Sequence, residues 1–159
     1  MNPTLGKDLA LLLLRLCGLG LAYAHGWAKV VALASGEGAR LLSAVAALGF
    51  PMPVVFAWAA GLSEFAGGIL VALGLGTRIA APFAAFTMLV AAFLRHHAHE
   101  QVLHVLGIAP VSAETLEKWG NPERALIYLI CLLAISLLGP GRFSLDYLFG
   151  GKSKGGRRK

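Results

Sequence analysis

A chain of 159 residues with formal net charge +6, 57% hydrophobic and only 14% charged residues, and a mean hydropathy of +0.72 is too apolar for a water-soluble domain. Soluble domains average about 45–50% apolar and about 25% charged residues, so the excess must face lipid. The length suits one compact domain with no room for a second.

A bilayer core about 30 Å thick is crossed by about 20 apolar residues in a helix. Residues 9–31 form the first such run, with Arg15 inside it and Lys29 near its far end. Lys7, this run and Ala22-Tyr23-Ala24 have the outline of a cleavable leader. Arg15 interrupts the apolar region and Asp8 weakens the basic one, so the segment is expected to be retained. A long loop over 32–53 contains a small-residue apolar stretch, 39–48, expected as a short helix along the interface. Residues 54–75 form the second run, broken only by Glu64. After a tight turn, 79–94 form a shorter third run whose flanking Arg78 and Arg95 can snorkel and lengthen the span. Pro82 falls in its first turn, where a missing N–H costs little. The second long loop, 97–121, holds an apolar piece at 102–108 and a short helix at 112–119. Ser112 is its N-cap, and Glu114 and Lys118 are spaced i,i+4. Residues 122–138 are the fourth run, opened by Asn121 and Pro122 and closed by Gly139-Pro140-Gly141.

No period-2 alternation supports a barrel, and lipid otherwise admits only helices. The expected fold is therefore all-α: an integral membrane four-helix bundle over residues 1–150, with short interfacial helices in the two outer loops. A basic cytoplasmic tail, 151–159, follows. Four spans put both termini and the 74–78 turn on one side, together with Lys7, Arg78, Arg142, Lys152, Lys154, Arg157, Arg158 and Lys159. The other side holds Lys29, Arg40, Arg95, Lys118 and Arg124. Eight cations against five place both termini of this multi-pass chain in the cytoplasm. Beside hydrophobic helices, the tail is expected to face anionic lipid, and no nucleic-acid partner is expected.

Charges inside a bilayer are costly, and by default they face protein and mark function. On the first helix Arg15, Gly18, Ala22, His25 and Lys29 recur at three- and four-residue steps and so form one stripe. On the second, Gly61, Glu64 and Gly68 form another, with Gly67 beside it, and small residues let a neighbouring helix approach the carboxylate. Rise per residue puts Glu64 near mid-membrane and Arg15 somewhat below it. The expected product is a buried Arg15–Glu64 network with His25 and Lys29 toward the outer mouth. Arg15, His25, Lys29 and Glu64 are the candidate substrate-binding residues, although the same network could serve only to hold helices together.

A second concentration is Arg95-His96-His97-Ala98-His99-Glu100, followed by His104. Neutral imidazoles bind copper, zinc or haem iron, which makes His25, His96, His97, His99 and His104 candidate metal ligands. Their spacing matches no defined metal motif, and an interfacial collar of polar side chains is the alternative. Cys17 and Cys131 lie in apolar runs without CxxC or Cys/His spacing and read as small buried hydrophobes. Trp27, Trp58 and Trp119 fall near the outer interface, where an aromatic belt explains them. The phosphate-loop, nucleophile-elbow and CxxCH patterns are missing, so no covalent cofactor is expected.

At these residues the sequence resembles the DoxX family of small four-helix bacterial membrane proteins. Arg15 and His25-Gly26-Trp27-Ala28-Lys29 match its Arg followed by HGxxK. Gly61-Leu-Ser-Glu64-Phe-Ala-Gly67-Gly68, running on to Leu73-Gly74-Leu75-Gly76-Thr77-Arg78, matches its second helix. Gly139-Pro140-Gly141-Arg142-Phe-Ser144-Leu-Asp146 is similar to its closing signature, and Gly49-Phe50-Pro51 also fits. By this resemblance Gly61, Gly67, Gly68, Arg78, Gly139, Pro140 and Arg142 are structural. The resemblance implies a bacterial plasma (inner) membrane protein. Some relatives are subunits of thiosulfate:quinone oxidoreductases; others are associated with quinone or catechol resistance, thiol redox stress or metal-handling operons. The histidine-rich end of the third helix exceeds the family pattern and favours a metal- or haem-related specialisation.

Three functions follow as expectations. The first is a redox-associated subunit, quinone- or thiol-linked, that binds a quinone between helices; if catalytic, it is an oxidoreductase subunit taking electrons from a partner protein. The second is a non-enzymatic copper- or zinc-handling or transport-accessory protein with its own metal-handling partner. The third is a membrane scaffold.

Overall fold

The computed structural model describes residues 3–150, and the expected basic tail lies outside the described residues. Among the described residues the chain is helical, without strands. In chain order the helices are α1 (Thr4–Ala34), α2 (Ala39–Ala47), α3 (Pro53–Leu73), α4 (Thr77–Arg95), α5 (Ala98–Val105), α6 (Ala113–Trp119), α7 (Glu123–Leu138) and α8 (Leu145–Gly150). Helices α1, α3 and α4 are each long and apolar enough to cross a membrane. The pair α6 and α7, bent by 46° at the intervening break, is long and apolar enough only when taken together, which gives three to four candidate spans among the described residues. The protein is an all-α membrane bundle, with α2 and α5 in the loops at the end opposite the N-terminus.

Local chemistry sets the helix ends. Ser112 Oγ accepts from the Thr115 N–H (3.3 Å) at the start of α6, and Asn121 Oδ1 accepts from the Glu123 N–H (2.8 Å) at the start of α7. Gly74 ends α3 in the left-handed region at φ +67°, and its N–H and that of Leu75 close back on Val71 and Leu70. Helix α1 runs 31 residues, five more at its start than the apolar run suggests. At about 1.5 Å per residue it is about 46 Å long, more than the hydrocarbon core requires.

Glycines set how closely the helices pack. A Cβ on Gly18 would collide with the Gly68 carbonyl oxygen, and one on Gly26 with the Phe65 backbone. Gly61 faces the Lys29 Cβ and Val30, while Gly67 turns toward Ala80 and Ala84 of α4. Helix α3 therefore touches α1 along one edge and α4 along the other at near-backbone distance. On the far side, Ala81, Ala84, Ala85 and Met88 of α4 and Leu129, Leu132 and Ile135 of α7 fill the core with Leu21 and Val71.

The glycine contacts also fix register. Gly18 stands opposite Gly68, Gly26 opposite Glu64–Phe65, and Lys29–Val30 opposite Gly61. A π-helical turn, Ala22–Gly26, interrupts α1 at this point. The extra residue rotates the helix so that Gly26, not His25, enters the α1–α3 seam. The expected single stripe is thus divided, and His25 turns toward α7.

Because the Gly26 contact is to backbone, Gly26→Ala has no flexible neighbour to displace. Thermal or denaturant unfolding in detergent should show a loss of about 1–3 kcal/mol, typical of overpacking. Gly150→Ala, with nothing within 4 Å of the new methyl group, should stay within about 0.5 kcal/mol.

Candidate functional site

Glu64 is 1% exposed, midway along α3 between Gly61 and Gly68. Its Oε1 pairs with Lys29 Nζ at 2.5 Å, the lysine reaching inward from α1 with 29% of its side chain exposed. Its Oε2 is buried without a hydrogen-bond partner among the described residues. An unsatisfied buried acceptor costs about 1–3 kcal/mol, and more if charged, so half of this carboxylate is chemically unspent. His25 is half-buried, within electrostatic reach of Glu64, Lys29 and Arg124. Its ring meets Tyr128 of α7 edge-on at 5.6 Å, and the Tyr128 hydroxyl lies against Gly20. Lys29 and Glu64 thus meet at the α1–α3 seam, while His25, on an adjoining face of α1, meets Tyr128 of α7. Together they can donate hydrogen bonds to a carbonyl and hold a proton.

Arg15 is not part of that cluster. The expected Arg15–Glu64 pair does not form, because the glycine register slides Arg15 to the far end of α3. About 21 Å of helix rise separates Arg15 from Lys29. Arg15, 1% exposed, instead donates from Nη2 to the Phe143 carbonyl and packs against Gly74, where any side chain would collide with its guanidinium.

Arg15 therefore anchors a clamp made by the segment after α7. Asp146 accepts from the Gly76 and Thr77 N–H groups (2.7 and 2.9 Å), and its own N–H donates to the Gly74 carbonyl (2.8 Å). Asp8 of α1 accepts from the Arg142 N–H (3.0 Å). Ser144 Oγ donates to the Gly141 carbonyl (2.6 Å) and accepts from the Tyr147 N–H (3.1 Å). Gly139 lies against the Arg78 guanidinium, and Gly141, at φ +75°, against Leu11. Pro140 occupies the intervening turn. Burial alone would raise the Asp146 pKa; the backbone N–H bonds and the Arg15 charge outweigh it and hold the carboxyl below its ordinary value.

The outer histidines are engaged one by one. His96 Nδ1 contacts the Trp119 carbonyl at 2.5 Å, and Gln101 ties the His96 and Gly120 carbonyls together (2.7 and 2.8 Å). His97, left-handed at φ 51°, stacks on Trp119 at 4.4 Å and pairs with Glu100 at 2.9 Å. His99 lies 3.6 Å from the same carboxylate, and His104 Nδ1 accepts from the Val111 N–H (2.9 Å). Among the described residues, His25, His96, His97, His99 and His104 are not gathered into any metal-holding set of three. The reason is topological. His25 sits in the α1–α7 seam, while His96 and His104 are spent on loop backbone.

Sequence reasoning missed Asp8, Tyr128, Phe143 and Gln101. The closing motif was visible as a pattern, but its partners lie 69 to 134 residues away, and nothing local announces them.

Lys29→Gln and Glu64→Gln should each lower stability, and the double variant should lose less than the sum by about 0.5–3 kcal/mol. Arg15→Gln with Glu64→Gln should be additive. Additivity for the lysine pair, with coupling for the arginine pair, would reverse the register described above.

Acid titration should isolate the clamp. A depressed carboxyl pKa contributes stability that is complete above the unfolded value, about 3.9, and drains away as pH falls through the folded value. Unfolding midpoints from pH 6 to 2 should therefore fall less steeply at the acid end for Asp146→Asn than for the wild type. Parallel curves would mean that Asp146 does not carry this acid dependence.

Searches of curated proteins and of solved structures give no match. The sequence model of the DoxX family matches residues 10–97, more than half of the chain. The matched region contains Arg15, His25, Lys29 and Glu64, together with the glycine seam that aligns them. With that seam, the bundle and the match in agreement, the chain belongs to the DoxX family.

Proposed function

We propose that this DoxX-family membrane protein is a redox-associated subunit that binds a quinone headgroup at the Lys29–Glu64–His25 seam. The single observation that carries the reading is the orphaned Oε2 of Glu64, buried in a carboxylate whose other oxygen holds the Lys29 ammonium. A structural ion pair would be best served by satisfying both carboxylate oxygens. Quinone supplies two-electron, two-proton chemistry, and electrons would come from a partner protein or a soluble donor. In this reading Lys29 and His25 donate to quinone oxygens, and the free Oε2 of Glu64 accepts from the hydroxyl of the reduced quinol. Tyr128 packs against the imidazole and orients it. His25 suits proton exchange because its unperturbed pKa lies near neutrality.

The reading includes location: a bacterial inner membrane, with both termini cytoplasmic. The eight-to-five excess of cations on the side of the termini supports that orientation.

Intrinsic fluorescence titration with a short-chain ubiquinone tests the site. Wild-type protein should bind saturably, His25→Ala and Glu64→Gln should weaken binding at least tenfold, and a joint His96/His97/His99→Ala variant should keep it. Quinone indifference in the wild type would remove the reading. Saturable copper or zinc binding lost in the triple variant would move the function to metal handling.

A further inference from the structure

The amino-terminal end of the bundle carries a groove of about 630 Å³ between the start of α1, the start of α4 and the closing segment. Lys7, Arg78 and Arg142 contribute its charge, with Leu11, Leu138 and Tyr147 along its walls. Two carboxylates also reach it, but both are committed. Asp8 accepts from the Arg142 N–H with Arg142 Nε at 4.0 Å, and Asp146 accepts from the Gly76 and Thr77 N–H groups. Among the described residues, Lys7 and Arg78 have no ion-pair partner. Lys7 and Arg78 therefore stand at one groove without a carboxylate at ion-pair distance, and its three cations outnumber its two carboxylates.

The groove also lies at a definite depth. Helix α4 begins and α7 ends beside it, so it sits where hydrocarbon gives way to headgroups. Leu138 is half-exposed on the hydrocarbon side. Tyr147, Leu148 and Phe149 of α8 are exposed on the same closing segment, as residues lying in an interface are, and Arg142 sits over the Tyr147 ring at 5.8 Å. A ligand that suits the groove has an anion at one end and an apolar chain at the other. Basic pockets between helices at a membrane face fit anionic lipid headgroups.

We infer that this groove binds an anionic phospholipid, with the headgroup phosphate between Lys7, Arg78 and Arg142 and an acyl chain along Leu138. The site is separate from the Lys29–Glu64–His25 seam and does not depend on what that seam binds. A lipid seated there would brace α1, α4 and the closing segment together.

The test uses full-length protein in neutral detergent and reads the thermal midpoint during titration with dioleoylphosphatidylglycerol, dioleoylphosphatidylcholine or inorganic phosphate. The anionic lipid should raise the midpoint saturably, and the other two should not. Lys7→Gln/Arg78→Gln should weaken the apparent affinity on the order of 30-fold, the effect of removing two cations at a charged membrane face. Arg78→Lys should retain most of it. A variant with Lys152, Lys154, Arg157, Arg158 and Lys159 all changed to Gln should respond as the wild type does. If the double variant fails to fold, Arg78→Gln compared with Arg78→Lys carries the same test. An equal rise with phosphate would make a free anion the ligand. An equal rise with phosphatidylcholine would make headgroup charge irrelevant. A response lost in the tail variant, or unchanged in the Lys7/Arg78 variant, would overturn the groove as the site.

Discussion

Where Gly18 faces Gly68 and Gly26 faces Phe65, two helices approach until there is no room for even one methyl group between their backbones. Such contact sets a distance and also a register, since bare backbone on one helix must meet bare backbone on the other. Everything polar in the bundle inherits that register. Glu64 falls within reach of Lys29, Arg15 falls beyond the end of α3, and the π-helical turn between them sends His25 toward α7. Sliding α1 by a single turn, about 5.4 Å, would dismantle all three placements.

The result is a division of labour along α1. Its amino-terminal part is structural: Asp8 and Arg15 hold the closing segment, and that segment holds the α3–α4 turn through Asp146. The buried arginine there meets a backbone carbonyl through Nη2 and acts on the Asp146 carboxylate, while its Nε and Nη1 have no hydrogen-bond partner among the described residues. The middle of α1 is different. It meets a half-satisfied carboxylate of α3 and carries a partly exposed ammonium and an imidazole turned toward α7. The opposite end of the bundle is tied by His96, Gln101 and Trp119, which join the end of α4 to the bend before α7.

The membrane fold was legible because apolar length is a direct consequence of bilayer thickness. The long apolar helices fall on the apolar runs, and the caps at Ser112 and Asn121 were readable from residue type. The identities of the polar residues in the seam were legible for the same reason, as ionisable groups in lipid are conspicuous. Their pairing was not. Three- and four-residue spacing tells which face a residue occupies, but not how far two helices slide past one another. The extra residue of the Ala22–Gly26 turn has no signature in composition, so the phase of His25 was misjudged. The histidines after α4 looked like ligands because their use as loop ties depends on Trp119 and Val111, whose positions only the folded loop reveals.

The most direct measurement of the central claim is the contact at Glu64 itself. Protein with 15N-labelled lysine and arginine side chains and 13C-labelled glutamate carboxyls, reconstituted in bilayers, can be examined by rotational-echo double resonance. A 2.5 Å Lys29–Glu64 pair predicts strong dephasing of one glutamate carboxyl by lysine nitrogen, lost in Lys29→Gln and unchanged in Arg15→Gln. Dephasing of that carboxyl by arginine nitrogen, lost in Arg15→Gln and indifferent to Lys29→Gln, would contradict the register on which the whole account rests.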